Sequence, residues 1–102
     1  MSTLHTINKS PFTHSTLSSC LQVCGNQDGI LLLEDGVFGA LKNAPYEEEL
    51  SQLINQGVKV YALYSDVKAR GINDKLRSDI ELTDYNGFVK LSTEHRCVQS
   101  WY

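Results

Sequence analysis

The groups in this sequence best suited to chemistry are three thiols, and two of them lie one helical turn apart in the stretch STLSSCLQVCG. These two are Cys20 and Cys24, and the third is Cys97. A thiol becomes a good nucleophile when a helix N-terminus, a cation or a metal lowers its pKa. Cys20 and Cys24 instead share the apolar stripe of Leu17 and Leu21, and free cysteine is among the most often buried residue types. We therefore expect Cys24 and Cys97 to be core side chains, and spacing alone predicts the same for Cys20.

Other reactive side chains form no constellation typical of a catalytic or metal site. Glu34 and Asp35 could serve as an acid/base pair, but carboxylates that follow a strand more often cap a helix or face water. His5, His14 and His95 are scattered along the chain, and the cysteine pair lacks the spacing of zinc ligands. The sequence also contains neither glycine-rich phosphate-binding motif. We therefore expect no metal site and no nucleotide cofactor.

Composition limits the class of protein further. The chain has 102 residues, 41% of them hydrophobic and 21% charged, which suits one globular domain. The formal charge of -3 argues against direct nucleic-acid binding, because such domains usually carry a basic surface. The apolar runs are only strand-sized, too short to cross a membrane, and we recognise no targeting segment. We therefore expect a cytoplasmic protein, and the odd number of cysteines fits the free thiols of that reducing compartment.

The pattern along the chain alternates strands with helices. The first half predicts a strand over residues 3–8, a helix that begins at Pro11 after Ser10 and ends near Gly25, and a doubly covered strand over Ile30–Leu33. The second half predicts a helix that begins just after Pro45 and ends at Gly57, followed by a strand over 58–64. A short helix capped by Ser65 or Asp66 and a strand over Ile80–Thr83 come next. The last elements are a helix over Asp84–His95, with Phe88 and Leu91 inward, and a final edge strand. The predicted fold class is α/β: a single three-layer domain over residues 1–102, with a mostly parallel sheet of about five strands and helices on both faces.

Five ordered blocks of the sequence resemble the TusB/DsrH family of bacterial sulfur-relay subunits. The blocks are LHTINKSPF at 4–12, LLLEDGVFGAL at 31–41, VYAL with DVKARGI between 60 and 72, DIELTDYNGFVKL at 79–91, and the closing VQSWY. They keep their order and spacing across nearly the whole chain. The resemblance implies a DsrEFH-like fold for the single domain.

The resemblance also implies partners. TusB-type subunits join TusC-like and TusD-like subunits in a heterohexamer, which receives persulfide sulfur from a TusA-like donor. A TusE-like acceptor carries that sulfur towards 2-thiouridine formation at the tRNA wobble position, and the principal acceptor cysteine lies on the TusD-like partner. We expect the segments DGVFGAL and SWY to contribute to subunit contacts, since aromatic residues are enriched at interface centres.

The resemblance gives one residue a candidate chemical role. Some members carry a cysteine in the first helix, within a segment like LSSCL, and Cys20 matches that position. We therefore expect Cys20 to be a candidate persulfide site, acting by thiolate attack on the outer sulfur of a donor persulfide. Two alternatives stay open: a DsrH subunit of a DsrEFH complex in sulfur oxidation, and a non-catalytic binding or regulatory module in which all three cysteines are core. The resemblance implies a subunit of a sulfur-transfer complex without independent catalytic activity.

Overall fold

In the described part of the chain, five parallel strands form the sheet, and four α-helices and one 3-10 helix connect them. The structure is a computed structural model that describes residues 2–102. Its elements are β1 Thr3–Ile7, α1 Thr16–Val23, β2 Gly29–Leu32, a 3-10 helix Glu34–Ala40, α2 Glu47–Asn55, β3 Lys59–Leu63, α3 Tyr64–Ala69, β4 Glu81–Thr83, α4 Tyr85–Glu94 and β5 Cys97–Trp101. The prediction of a mostly parallel sheet of about five strands is confirmed.

The order of the strands explains where the helices lie. The sheet order is β4-β3-β2-β1-β5, and every neighbouring pair is parallel. The first three connections therefore all step in the same direction, and right-handed crossovers place their helices on one face. The fourth connection returns across the whole sheet to β5, so the same rule places α4 on the opposite face. The predicted helices on both faces are confirmed, with three α-helices on one side and one on the other.

Two apolar clusters reflect this uneven division. The larger cluster joins sheet residues such as Ile7 and Ile30 to Leu17 and Cys20 of α1 and Leu50 of α2. The smaller cluster lies on the other face, where Leu4, Leu31 and Tyr61 meet Leu91, and Phe88 packs beside them. Alternation along β1 sends Leu4 to one face and Ile7 to the other, as the period of a strand requires. The predicted inward positions of Phe88 and Leu91 on α4 are confirmed.

The first helix begins later than its sequence pattern predicts. Ser10 and Pro11 do begin a turn, in which the amides of Thr13 and His14 donate to the Ser10 carbonyl at 3.3 and 3.0 Å. The turn stops there, and α1 begins only at Thr16. The intervening residues are exposed, so no burial of an apolar face compensates for their weak helix propensity. The predicted start at Pro11 is therefore wrong by one and a half turns.

The segment after β2 also differs from its sequence-based description. Residues Glu34–Ala40 form a 3-10 helix that the sequence did not predict, and its Gly36 packs directly against the end of β1. Four of its residues, Gly36, Val37, Gly39 and Ala40, are buried within the chain. The expectation that the DGVFGAL segment contributes to subunit contacts stays a prediction, and its half-buried Phe38 and Leu41 are better placed for such contacts than these four buried residues.

The short helix α3 begins directly at the end of β3. Its first residue is Tyr64, so neither Ser65 nor Asp66 caps it as predicted. The Asp66 carboxylate instead accepts a 2.7 Å hydrogen bond from the backbone amide of Glu34. This bond joins the ends of β2 and β3. By contrast, Asp84 caps α4 by accepting from the amide of Gly87 at 2.8 Å, at the predicted start of that helix.

The last strand is the least covered part of the sheet. β5 is an edge strand, as predicted, and four of its five residues are exposed; its neighbour in the sheet is β1. Within residues 2–102, every helix is too short or too polar to cross a membrane.

Candidate functional site

Cys20 lies in the middle of α1, where the helix faces the larger apolar cluster. Its side chain is 0% exposed. Burial raises the pKa of the Cys20 thiol to about 12, with smaller contributions from Cys24 and Asp28. The thiol is therefore protonated and enclosed in the described conformation. The role of Cys20 as a persulfide site stays a prediction, and it requires α1 to move so that a donor can reach the sulfur.

The other two thiols lie in quite different environments. Cys24, at the C-terminal end of α1, is half-buried against the larger cluster, and burial followed by the charge of Asp28 raises its pKa to about 11. Cys97 is exposed on β5, so the prediction that it is a core residue is wrong. Cys97 is the first residue of the edge strand β5, in which four of the five residues are exposed.

A buried polar cluster at the start of the sheet joins residues that are far apart in sequence. His5 is 4% exposed, and its Nε2 lies 2.9 Å from Asp28 Oδ2. Trp101 Nε1 donates to the other ring nitrogen, His5 Nδ1, at 3.1 Å. Asp28 also accepts hydrogen bonds of 2.9 Å from the amides of Thr3 and Gly25. The cluster therefore ties β1, the turn before β2 and β5 together.

This cluster also places the Cys24 thiol beside the His5 ring and the Asp28 carboxylate, three side chains of types that bind metals or act in catalysis. The ligand atoms of His5, Cys24 and Asp28 lie within 4.8 Å of one another. The indole N–H can only donate, so the neutral His5 ring must carry its proton on Nε2 and offer that proton to Asp28. A metal on Nε2 would move the proton to Nδ1, against the indole N–H of Trp101. Both ring nitrogens are thus engaged, and His5 can neither ligate a metal nor act as a base for Cys24 without breaking the bond to Trp101.

The carboxyl edge of the sheet holds the second group of candidate residues. Glu34 has a φ of 49°, a left-handed conformation, and the bond from its amide to Asp66 secures it. Asp35 Oδ1 accepts from Arg70 Nε and Nη2 at 3.0 and 2.9 Å. The Arg70 guanidinium therefore engages one of these two carboxylates, while Glu34 is exposed. At this edge, Asn8 Oδ1 is the one buried side-chain polar atom without a hydrogen-bond partner among residues 2–102.

An open cleft of about 380 Å³ lies beside the start of α2 and contains one well-buried cation. The Arg77 side chain is 9% exposed and donates to both Asp79 carboxylate oxygens at 3.0 and 2.8 Å. It also donates to the Glu47 carbonyl at 3.1 Å and to Ser51 Oγ at 2.6 Å. Arg77 thus anchors the segment before β4 to α2, and its donors are committed to that role.

Comparison with known proteins identifies the family. The family model described as DsrH like protein matches residues 9–98. The chain belongs to the DsrH-like family. Among curated DsrH-like relatives, Protein TusB of Escherichia coli strain K12 is 38% identical over 98 residues, which cover 96% of this chain and 99% of that protein. Protein TusB of Enterobacter sp. strain 638 is 36% identical with the same coverage. The resemblance to the TusB/DsrH family is confirmed.

Solved structures support the fold of this DsrH-like chain. The crystal structure of the ychN protein from E. coli has a TM-score of 0.84 at 16% identity, covering 98% of this chain and 99% of that one. A protein of unknown function from Methanobacterium thermoautotrophicum, MTH1491, has a TM-score of 0.82 at 17% identity, covering 97% of each chain. Similarity at identities this low supports the fold alone, and that fold agrees with the predicted DsrEFH-like arrangement.

Sequence reasoning missed the cluster of His5, Asp28 and Trp101, although one signal was present. His5 stands between Leu4 and Ile7 in the strand segment TLHTI, and a polar side chain that is buried there needs a partner. The sequence indicates that His5 requires hydrogen-bond partners but not which residues they are, because they lie 23 and 96 residues away.

Proposed function

We propose that this protein is a sulfur-relay subunit of a tRNA modification pathway. The observation that carries the proposal is identity of 36–38% to Protein TusB over 96% of the chain, together with the DsrH-like family match. In this role the protein acts in the cytoplasm within a TusBCD-like complex. The complex passes persulfide sulfur towards 2-thiouridine at the wobble position of tRNA.

In this proposal the subunit is mainly structural. TusC-like and TusD-like subunits complete a heterohexamer with it, a TusA-like protein donates sulfur and a TusE-like protein accepts it. Three features of the chain support a scaffold over an independent enzyme: Cys20 is enclosed, the His5 ring is engaged at both nitrogens, and Asp35 is paired with Arg70. Direct nucleic-acid binding is not part of the role, since the net charge is -3.

Cys20 is included as an accessory sulfur acceptor. Its thiolate would attack the outer sulfur of a donor persulfide, forming a new S–S bond on Cys20 and releasing the donor as a thiol after proton uptake. A later thiol would remove that sulfur in the same way. The burial of Cys20 means that this step needs α1 to open, which contact with a partner subunit would have to supply.

The test is sulfur loading measured by intact mass. The purified protein is incubated with a low-molecular-weight persulfide, alone and with its TusC-like and TusD-like partners, and compared with Cys20→Ala and with Cys97→Ser as the exposed-thiol control. Gain of one sulfur atom that is lost in Cys20→Ala and kept in Cys97→Ser supports the accessory site. Loading of a partner alone supports the scaffold role without it. A chain that loads no sulfur and binds neither partner would refute the relay role and support an independent binding module.

The family model itself favours a second candidate, a DsrH subunit of a DsrEFH complex in sulfur oxidation, because its description is DsrH-like. Deletion of the gene distinguishes the two. Loss of wobble 2-thiouridine in bulk tRNA supports the tRNA pathway. Normal thiolation with impaired oxidation of stored sulfur supports the DsrEFH role instead.

A further inference from the structure

The indole of Trp101, the one tryptophan of the chain, is held by a histidine in the first strand. We propose that His5 is a proton-operated latch that holds the C-terminal end of β5 when neutral and releases it when protonated. The latch is a property of the isolated chain and does not depend on the sulfur-relay role.

The first step is the protonation state of His5 when the latch is closed. An indole nitrogen has a hydrogen to donate and no lone pair to accept with. The 3.1 Å bond from Trp101 Nε1 therefore requires a lone pair on His5 Nδ1. The single proton of the neutral ring must then lie on Nε2, which is 2.9 Å from Asp28 Oδ2 and donates to it. The closed latch is thus the neutral ring protonated on Nε2.

The second step is that Asp28 keeps its place when His5 gains a proton. Its carboxylate accepts from the amides of Thr3 and Gly25, both at 2.9 Å, in addition to His5. Burial opposes its ionisation, but these hydrogen bonds prevail and lower the pKa of Asp28 below its ordinary value. A protonated His5 still donates from Nε2 to this fixed carboxylate, so the side of the ring facing Asp28 is unchanged.

The third step is that protonation removes the acceptor for Trp101. A protonated imidazole has a hydrogen on each nitrogen, so Nδ1–H would point at the indole N–H. Among the other groups facing His5, Cys24 is a neutral thiol at neutral and acidic pH because its pKa is raised to about 11. The neighbours of His5 across the sheet, Ile30 and Gln99, carry no charge. The bond to Trp101 is therefore the one that breaks.

The fourth step is that β5 is free to respond. It is an edge strand whose neighbour lies on one side only, and four of its five residues are exposed. Trp101 is its half-buried residue and packs against the larger apolar cluster. The bond to His5 therefore adds a side-chain anchor at the end of a strand with few others, and its loss should loosen residues near 101 before the rest of the sheet.

The experiment follows the single indole N–H of Trp101 by nitrogen-15 NMR between about pH 8 and about pH 5, the range in which histidine changes charge. We expect a hydrogen-bonded indole signal at the upper end and a shifted signal with faster solvent exchange at the lower end. His5→Asn offers Trp101 an uncharged acceptor close to the position of Nδ1, so its signal should stay constant across the range. His5→Gln keeps a donor for Asp28 and loses the acceptor for Trp101, so its signal should resemble the released state throughout.

The control is His14→Gln, which removes an exposed histidine and should leave the wild-type transition in place. An indole signal that does not change across the range, or that changes equally in His5→Asn, would overturn the proposal. If either His5 variant fails to fold, the tautomer of wild-type His5, read from its two ring nitrogens by long-range NMR correlation, decides the matter. A neutral His5 ring protonated on Nδ1 would refute the latch. A neutral ring protonated on Nε2, together with an indole signal that changes at the same pH as the ring signals, would support it.

Discussion

The thiols of the native protein should react with iodoacetamide in the order Cys97, Cys24, Cys20. The reacting species is the thiolate, and its fraction falls tenfold for each unit by which the pKa rises above the pH. Burial raises the pKa of Cys20 from 9.0 to about 12, which lowers its thiolate fraction roughly a thousandfold relative to an ordinary cysteine. For Cys24, at about 11, the reduction is roughly a hundredfold. The full burial of Cys20 slows it further, because the reagent must wait for α1 to open.

Peptide mapping by mass spectrometry over a time course measures the three rates separately. Under native conditions Cys97 should be modified first, and Cys97→Ser should leave only the slow modification of the other two. In concentrated urea all three should react at similar rates, which controls for differences in local sequence. Native Cys20 reacting within tenfold of Cys97 would refute the enclosed thiol and, with it, the need for partner-induced opening.

Three further predictions concern the residues that hold the fold around the site. Gly36→Ala places a Cβ 2.0 Å from the Ile7 carbonyl oxygen and should lower the free energy of unfolding in urea by about 3 kcal/mol or more. The control is Gly25→Ala, whose Cβ would lie 3.7 Å from its nearest atom and should change that free energy little. Equal stability of the two variants would contradict this prediction. Because the pKa of Asp28 is lowered on folding, its stabilisation is complete above the unfolded value of about 3.9 and is lost as the pH falls through the lower folded value. Asp28→Asn should therefore show a flatter acid limb by circular dichroism, and an unchanged limb would count against the assignment. Arg77→Met removes hydrogen bonds to Asp79, Glu47 and Ser51 and should lower the free energy of unfolding, measured by thermal unfolding, by about 2 kcal/mol. The control, Lys90→Met on an exposed face, should lower it little. An Arg77→Met variant as stable as the wild type would show that the network does not stabilise the fold.

The fold was predictable because its signals are local and repeated. The apolar run before Glu34 indicates a strand covered on both faces, and Asp84 marks the start of α4, where it accepts from the amide of Gly87. The start of α1 was not predictable in this way, since Ser10 and Pro11 begin a turn that no buried face extends. A capping signal indicates where a turn begins, but packing decides how far a helix continues.

The candidate site was less predictable because it depends on contacts between distant residues. Helical spacing correctly indicated that Cys20 faces the core. It could not reveal that Cys97 is exposed, because that depends on which strand occupies the edge of the sheet. The partners of His5 were likewise hidden, since Asp28 and Trp101 meet it only after β1 has paired with β2 and β5.

The pairing of the last strand with the first has a consequence for biosynthesis. β1 lies between β2 and β5, and its residues Thr3 and Ile7 pair with Cys97 and Trp101 across more than ninety positions of sequence. During synthesis from the N-terminus, one side of β1 stays without a partner until residues 97–101 have left the ribosome. Until then its open backbone could recruit strands from other chains. A partner chain or chaperone that covers this edge early would protect the nascent protein from aggregation, so the order of translation and assembly should affect its yield.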